Sequence, residues 1–139
     1  MPNLEASAKL ANEVANHPEV LTRISWTGDE VDIQPLVDKD QCFIIENDSY
    51  GCFLLAQSDY ESYVVHTLFK PKTPPSVVRH TAKEGMWLSF IDLDAMDLTS
   101  SACETNPAAY KLMRKNGFIP MFDSPSKFAK GKKERFCRL

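Results

Sequence analysis

Apolar and polar positions alternate along this chain with two different periods. Leu4, Ala8, Ala11 and Ala15 recur at steps of three and four, which predicts a helix from Leu4 to about Asn16, ended by Pro18. Val20, Leu21 and Ile24 predict a short second helix or an extended segment. Residues 27–40 carry Gly28, Pro35 and six charged side chains; they read as a loop with a short strand at Val31-Asp32-Ile33. Two apolar runs, Cys42 to Glu46 and Cys52 to Ala56, flank the turn formers Asn47-Asp48-Ser49-Tyr50-Gly51 and predict a hairpin. Tyr63 to Phe69 is β-branched and aromatic and predicts a central strand.

Pro71, Pro74 and Pro75 end that strand, and Ser76 is the expected N-cap of a helix whose Val78, Ala82, Met86 and Phe90 share one face. Asp92-Leu93-Asp94 closes it, and Leu98 to Glu104 predicts the next strand. Asn106-Pro107 opens another helix, running to Lys115-Asn116 and stopped by Gly117. Phe118 to Phe122 and Phe136 to Leu139 are the last expected strands. The order is helix, two antiparallel strands, strand–helix, strand–helix, then strand or hairpin. That is an α/β (α+β) chain, and its 139 residues fit one domain over 1–139.

Composition supports a globular domain: 43% of residues are hydrophobic and 25% charged. No run of apolar residues is long enough for a membrane span, and the N-terminus lacks a basic stretch followed by an apolar one, so the expected location is the cytoplasm. Cys42, Cys52, Cys103 and Cys137 form no Cys-x-x-Cys pair and have no His at zinc-finger spacing, and His17 and His80 lie in no ligand pattern; no metal site is expected. All four thiols are read as reduced; Cys42 and Cys52 flank the turn, where a hairpin could bring them face to face. The net charge of −3 is uneven. Residues 127–139 hold six basic side chains against Glu134 alone, while the rest is acidic. The segment is read as a solvated strand or tail; the acidic body argues against a nucleic-acid reader. Trp26 and Trp87 are read as core or interface anchors.

The stretch Thr105 to Phe118 resembles the last block of the GCN5-related N-acetyltransferase (GNAT) superfamily. Asn106, then Ala109 three residues on, then Gly117 and Phe118 stand in that block's register, and the element order is also the GNAT order. Together with Asn16-His17-Pro18-Glu19-Val20 and Val65-His66-Thr67-Leu68-Phe69-Lys70-Pro71, the block also resembles small tailed-phage proteins of acetyltransferase-like fold, some of them internal virion proteins. The resemblance implies a mixed sheet of six or seven strands flanked by about four helices. The strands on either side of the central helix would be parallel and splayed.

In that superfamily a glycine-rich signature after the central strand turns backbone N–H groups toward the pyrophosphate of coenzyme A. The matching stretch here, Lys70 to Val78, has no glycine, and Pro74 and Pro75 each remove a donor. Lys70, Lys72, Ser76, Val77, Val78, Arg79 and Asn106 are the candidate cofactor contacts. The family's acid, a tyrosine seven residues after the block's Asn, is replaced by Met113; Tyr110, one turn earlier, is the candidate substitute, against the alternative that it packs on the sheet. His66 is the candidate base, against a core histidine with a partner, and Glu104 is either that partner or a base itself. Cys103 beside His66 suggests a thiol nucleophile, but no oxyanion-hole glycines accompany it and it reads as a small buried residue.

The leading reading is a phage-encoded protein on an acetyltransferase-like scaffold with a degenerate coenzyme A site, requiring no cofactor. It would act by contact with a virion or host protein, in the host cytoplasm or a phage particle. The alternative is an active N-acyltransferase moving acetyl from acetyl-coenzyme A to an amine of a protein or small molecule. A third is nucleic-acid binding through the basic segment.

Overall fold

A computed structural model describes residues 3–5, 7–24, 27–47, 49–127 and 129–139. Trp26 and Asp48 lie outside them. The elements are β1 (Asn3–Glu5), α1 (Lys9–Ala15), α2 (Pro18–Ile24), α3 (Gln34–Asp38), β2 (Cys42–Asn47), β3 (Gly51–Asp59), β4 (Ser62–Phe69), α4 (Pro75–Ile91), β5 (Asp97–Cys103), α5 (Pro107–Lys115), β6 (Ile119–Pro125) and β7 (Lys133–Arg138). The strands form one seven-stranded sheet in the order β1-β2-β3-β4-β5-β7-β6. All neighbours are antiparallel except β4 and β5, which the α4 crossover makes parallel. No helix among the described residues is long and apolar enough to cross a membrane.

Two apolar layers hold the sheet. One face of β2–β4 packs under α1–α3 through Ala8, Ala11, Val14, Ile44, Cys52, Leu54 and Leu68. The small side chains of α1 let that helix lie close on the sheet. The other face packs under α4 and α5 through Ile45, Phe53, Leu55, Leu98, Met113, Phe118 and Cys137. Among the described residues, the first cluster contains none of β5, β6 or β7, so the apolar layer under α1–α3 stops at β4. β6 is an edge strand whose Ile119, Met121 and Phe122 are exposed and which contains Pro120 and Pro125.

The hairpin, the central strand, the two long helices and the parallel pair stand as the sequence predicts. Several details differ. Leu4 does not open α1: Asn3–Glu5 pairs with Ile44–Glu46 as a strand, and the helix starts after Ala8. Val31 to Ile33 is not a strand, because α1 side chains take its backbone groups. Asn16 Nδ2 donates to the Val31 carbonyl, and the Val31 and Ile33 N–H groups donate to Asn16 and Asn12 Oδ1, all at 2.7–2.8 Å. The next residues form α3, a fifth helix.

Ser76 is not the cap of α4. Pro74 is, in extended geometry (φ −57°, ψ 133°), as expected of a residue before proline. Cys42 and Cys52 do not face each other, since the hairpin closes at Asn47 and Gly51, which sets Cys42 against Ala56 and Cys52 against Glu46. At Gly51 (φ +152°) a side chain is impossible, because a Cβ would lie 2.1 Å from the Leu68 carbonyl oxygen. Gly117, at φ +91°, ends α5 as expected. Trp87 is 66% exposed and so is not core. The basic segment is no tail: Lys133–Arg138 is a strand inserted between β5 and β6, with Arg135 paired to Asp123 at 2.9 Å and Arg138 to Asp97 at 2.8 Å.

Candidate active site

The parallel pair is short. β4 and β5 are in register only over Ser62–Val64 and Asp97–Thr99, after which β5 continues against β7 alone. The Glu61 carbonyl accepts from the Met96 N–H at 2.7 Å, and the Val65 carbonyl accepts from Ser100 Oγ at 2.8 Å, a side chain where a backbone N–H would be in a regular ladder. The Lys70 N–H points the other way, to the Tyr50 carbonyl next to β3. Alternation along the strand therefore turns the N–H and C=O of Thr67 toward the β5 side, beyond the last bridge. The result is an open backbone edge inside the sheet. On its α4–α5 side lies an apolar cavity of about 50 Å³, lined by Val65, Thr67, Ser100, Met86, Met113 and Phe118 among others.

His66 stands at this opening, with its side chain on the opposite face from Thr67. It is paired across the ladder with Leu54, is exposed to solvent, and no described residue hydrogen-bonds or ion-pairs its ring. Dense protein beneath the ring nevertheless lowers its pKa by desolvation, so the imidazole is neutral at pH 7. Glu104 is not its partner: Glu104 Oε1 accepts from the Lys133 N–H at 2.9 Å, just past the end of β5.

Tyr110 packs in the α5 layer with the Arg135 guanidinium over its ring, 5.1 Å from the centroid. Met113 is buried and lines the cavity. Asn106 is spent as the α5 cap, its side chain accepting from the Ala109 N–H at 3.4 Å.

The start of α4 offers an anion little. The Thr73 N–H donates to the Lys70 carbonyl, and those of Val77 and Val78 to the Pro74 carbonyl. Pro74 and Pro75 have none, so between Thr73 and Val78 the Ser76 N–H alone is unspent. Lys70 makes a surface ion pair with Glu13 at 3.5 Å, and Lys72 sits at φ +68° in the turn before the helix. Arg79 is exposed on the helix surface.

Apart from Cys103, the sequence reading missed the other side of the opening. Register and alternation place Thr99, Ser101 and Cys103 of β5, and Glu134, Phe136 and Arg138 of β7, on the same face as His66. The rungs run Thr99–Arg138–Ile119, then Ser101–Phe136–Phe122, then Cys103–Glu134–Ser124. The middle rung is level with His66, two residues beyond the last parallel bridge. Phe122 and Phe136 stack at 4.8 Å with 16° between planes. Glu134 is buried; its Oε1 accepts from Ser101 Oγ at 3.0 Å and its Oε2 from Ser126 Oγ at 3.2 Å. The Cys103 thiol accepts from Thr105 Oγ1 at 3.2 Å. Burial pushes its pKa up, but hydrogen bonds from Thr105 and Ser126 together outweigh this and bring it below the usual thiol value. The available signal was the polar triplet Thr99-Ser100-Ser101 inside a central strand, together with a lone acid in a basic run.

No protein-family model matches the chain, and no curated protein matches it. Solved structures do. Spermidine N-acetyltransferase from Vibrio cholerae, in complex with CoA and spermine, superposes with a TM-score of 0.79 at 14% identity, over 99% of this chain and 94% of that one. This chain has the GNAT acetyltransferase fold. Ribosomal-protein-alanine N-acetyltransferase from Brucella melitensis gives 0.78 at 14% identity, over 100% and 98%. The yncA protein of Salmonella typhimurium, with its cofactor acetyl-CoA, gives 0.79 at 15%, over 100% and 93%. At such identities the likeness carries the GNAT fold and leaves the activity to the residues.

Proposed function

We propose that this GNAT-fold protein is an N-acyltransferase that moves an acyl group from acyl-coenzyme A to an amine. The observation that carries this reading is the open edge at Thr67 with His66 beside it. A free N–H and C=O inside a sheet can pair with an extended, amide-bearing chain as a strand would, and the arm of coenzyme A is such a chain. Val65, Thr67 and Met86 at the cavity beneath give that arm an apolar wall. The diphosphate fits less well, because the α4 start has lost two donors, and Lys70, Lys72, Ser76 and Arg79 are what this chain offers it.

In the transfer, the amine nitrogen bonds to the thioester carbonyl carbon and the carbon–sulfur bond breaks. Neutral His66 takes the proton of the attacking ammonium, and the leaving thiolate recovers a proton, for which Tyr110 is the phenol on α5. Glu104, just past the end of β5, is the alternative base.

The test is acetyl transfer to a panel of amines at millimolar acetyl-coenzyme A, with His66→Ala, Glu104→Gln and Tyr110→Phe alongside. Turnover that falls about 10²-fold or more in His66→Ala supports the reading. No turnover and no calorimetric binding of acetyl-coenzyme A at those concentrations overturns it.

One observation favours a second reading. The proline pair at the helix start suits a scaffold that has given up its cofactor and acts by protein–protein contact, in virion assembly or host takeover, as the resemblance to small tailed-phage proteins implies. Capture of a specific phage or host protein by a chain that does not bind acetyl-coenzyme A would support that role.

A further inference from the structure

We infer that the β5–β7–β6 half of the sheet, on the face that carries His66, is the acceptor site, and that it takes a single primary amine joined by a short tether to an aromatic or similarly flat apolar group. This rests on the acyl-transfer reading and names its substrate class. Three features of the face carry the inference.

The first is the platform. The stacked rings of Phe122 and Phe136 lie on the rung level with His66. Phe122 is 56% exposed, and among the described residues α1–α3 contribute no packing against β5, β7 or β6 in the apolar layer of that face. A flat ring stacks on such a pair with its face or edge. Strands are spaced by about 5 Å, so a tether of two or three atoms reaches from the platform toward the opening between β4 and β5.

The second is the charge. Glu134 is buried and both its oxygens are held by neutral hydroxyls, those of Ser101 and Ser126; among the described residues no cation pairs with it. An anion held in place but not neutralised favours one ammonium group nearby. Ser101 lies between Glu134 and the His66 rung, so the amine is drawn to the side where the base stands.

The third feature limits the ligand to one cation. Arg138 is on the same face, four residues along β7 from Glu134, which is about 13 Å at strand rise, and it is paired with Asp97 at 2.8 Å. A polyamine laid along β7 from Glu134 finds no free carboxylate there to hold a further ammonium, since Asp97 is already spent on Arg138. An apolar ring needs no such anchor.

The experiment uses the full chain with 2-phenylethylamine, spermidine and glycinamide as probes, measuring binding by calorimetry or NMR titration and, separately, acetyl transfer. Phenylethylamine should bind more tightly than either of the others, and Phe122→Ala, at an exposed edge position, should weaken it about tenfold. Glu134→Gln should weaken it further, while Arg138→Gln should raise spermidine binding and leave phenylethylamine unchanged. Binding that follows this pattern without any acetyl transfer supports the site and overturns the acyl-transfer reading. Transfer that prefers spermidine, or phenylethylamine binding that is absent or indifferent to Phe122→Ala, overturns the site and leaves the acyl-transfer reading standing on its own test.

Discussion

Asn47 Nδ2 donates to Thr81 Oγ1 at 2.5 Å, tying the end of β2 to the middle of α4 in a buried contact. The Thr81 hydroxyl in turn donates to the Val77 carbonyl one turn back, at 2.7 Å. Thr81 is fully buried, so neither polar group has water to fall back on. Asn47→Ala should cost about 1–3 kcal/mol, the penalty of an unmade buried hydrogen bond. Urea unfolding of the variant checks this, with an unchanged m-value expected.

The proline pair at the start of α4 should make acetyl-coenzyme A binding weak, with a dissociation constant above ~0.1 mM. Two lost donors to an anion forfeit roughly 1.5–3 kcal/mol each, at about 1.4 kcal/mol per decade of affinity. The double change Pro74→Arg with Pro75→Gly restores two N–H groups and should tighten binding at least tenfold. Calorimetric titration decides; an unchanged affinity would place the diphosphate elsewhere.

His66 links pH to both stability and activity. Its folded pKa is lowered by desolvation, so the unfolded chain binds more protons in the interval below the ordinary histidine value of about 6.5. The stability that neutral His66 permits is therefore present above that value and declines as pH falls beneath it. His66→Gln should flatten this part of the stability profile between pH 7.5 and 5.5, read by denaturant midpoints. The acid limb of kcat/KM for amine acetylation should shift with it.

The four thiols should separate cleanly in reactivity. Burial raises the pKa of Cys42 and Cys137, and raises Cys52 to about 12, with Glu46 adding to it. Cys103 alone is partly exposed and has a lowered pKa. One equivalent of iodoacetamide should react quickly with the native protein at pH 7.5, at Cys103, and the other three should react only on unfolding. Loss of the fast phase in Cys103→Ser is the check.

Most of the fold was legible because most strands and helices carry their own period. The run from Tyr63 to Phe69 and the Asn106-to-Gly117 helix, with its cap and stop, show this well. What was not legible depended on distant partners. Leu4 has a spacing that suits a helix with Ala8, yet its backbone pairs with Ile45, forty-one residues on. Val31 reads as a strand residue, but its backbone is held by Asn16 instead of by another strand.

His66 and the failing pyrophosphate loop were visible in the sequence because each rests on local residue types. The Ser101–Glu134 contact and the Phe122–Phe136 stack were not, because they exist only once β7 is inserted between β5 and β6. The basic segment was read as a solvated strand or tail, with a strand expected only from Phe136, for the same reason.

The edge strand β6 presents three exposed apolar side chains, and a strand of that kind ordinarily invites other chains to add to it and grow into aggregates. Pro120 and Pro125 lie within the same seven residues, and neither has an N–H to offer an incoming strand. Replacing both should leave the ring platform intact and yet turn a well-behaved protein into one that precipitates on concentration. The prolines withhold two N–H groups from any chain that would add itself to that surface.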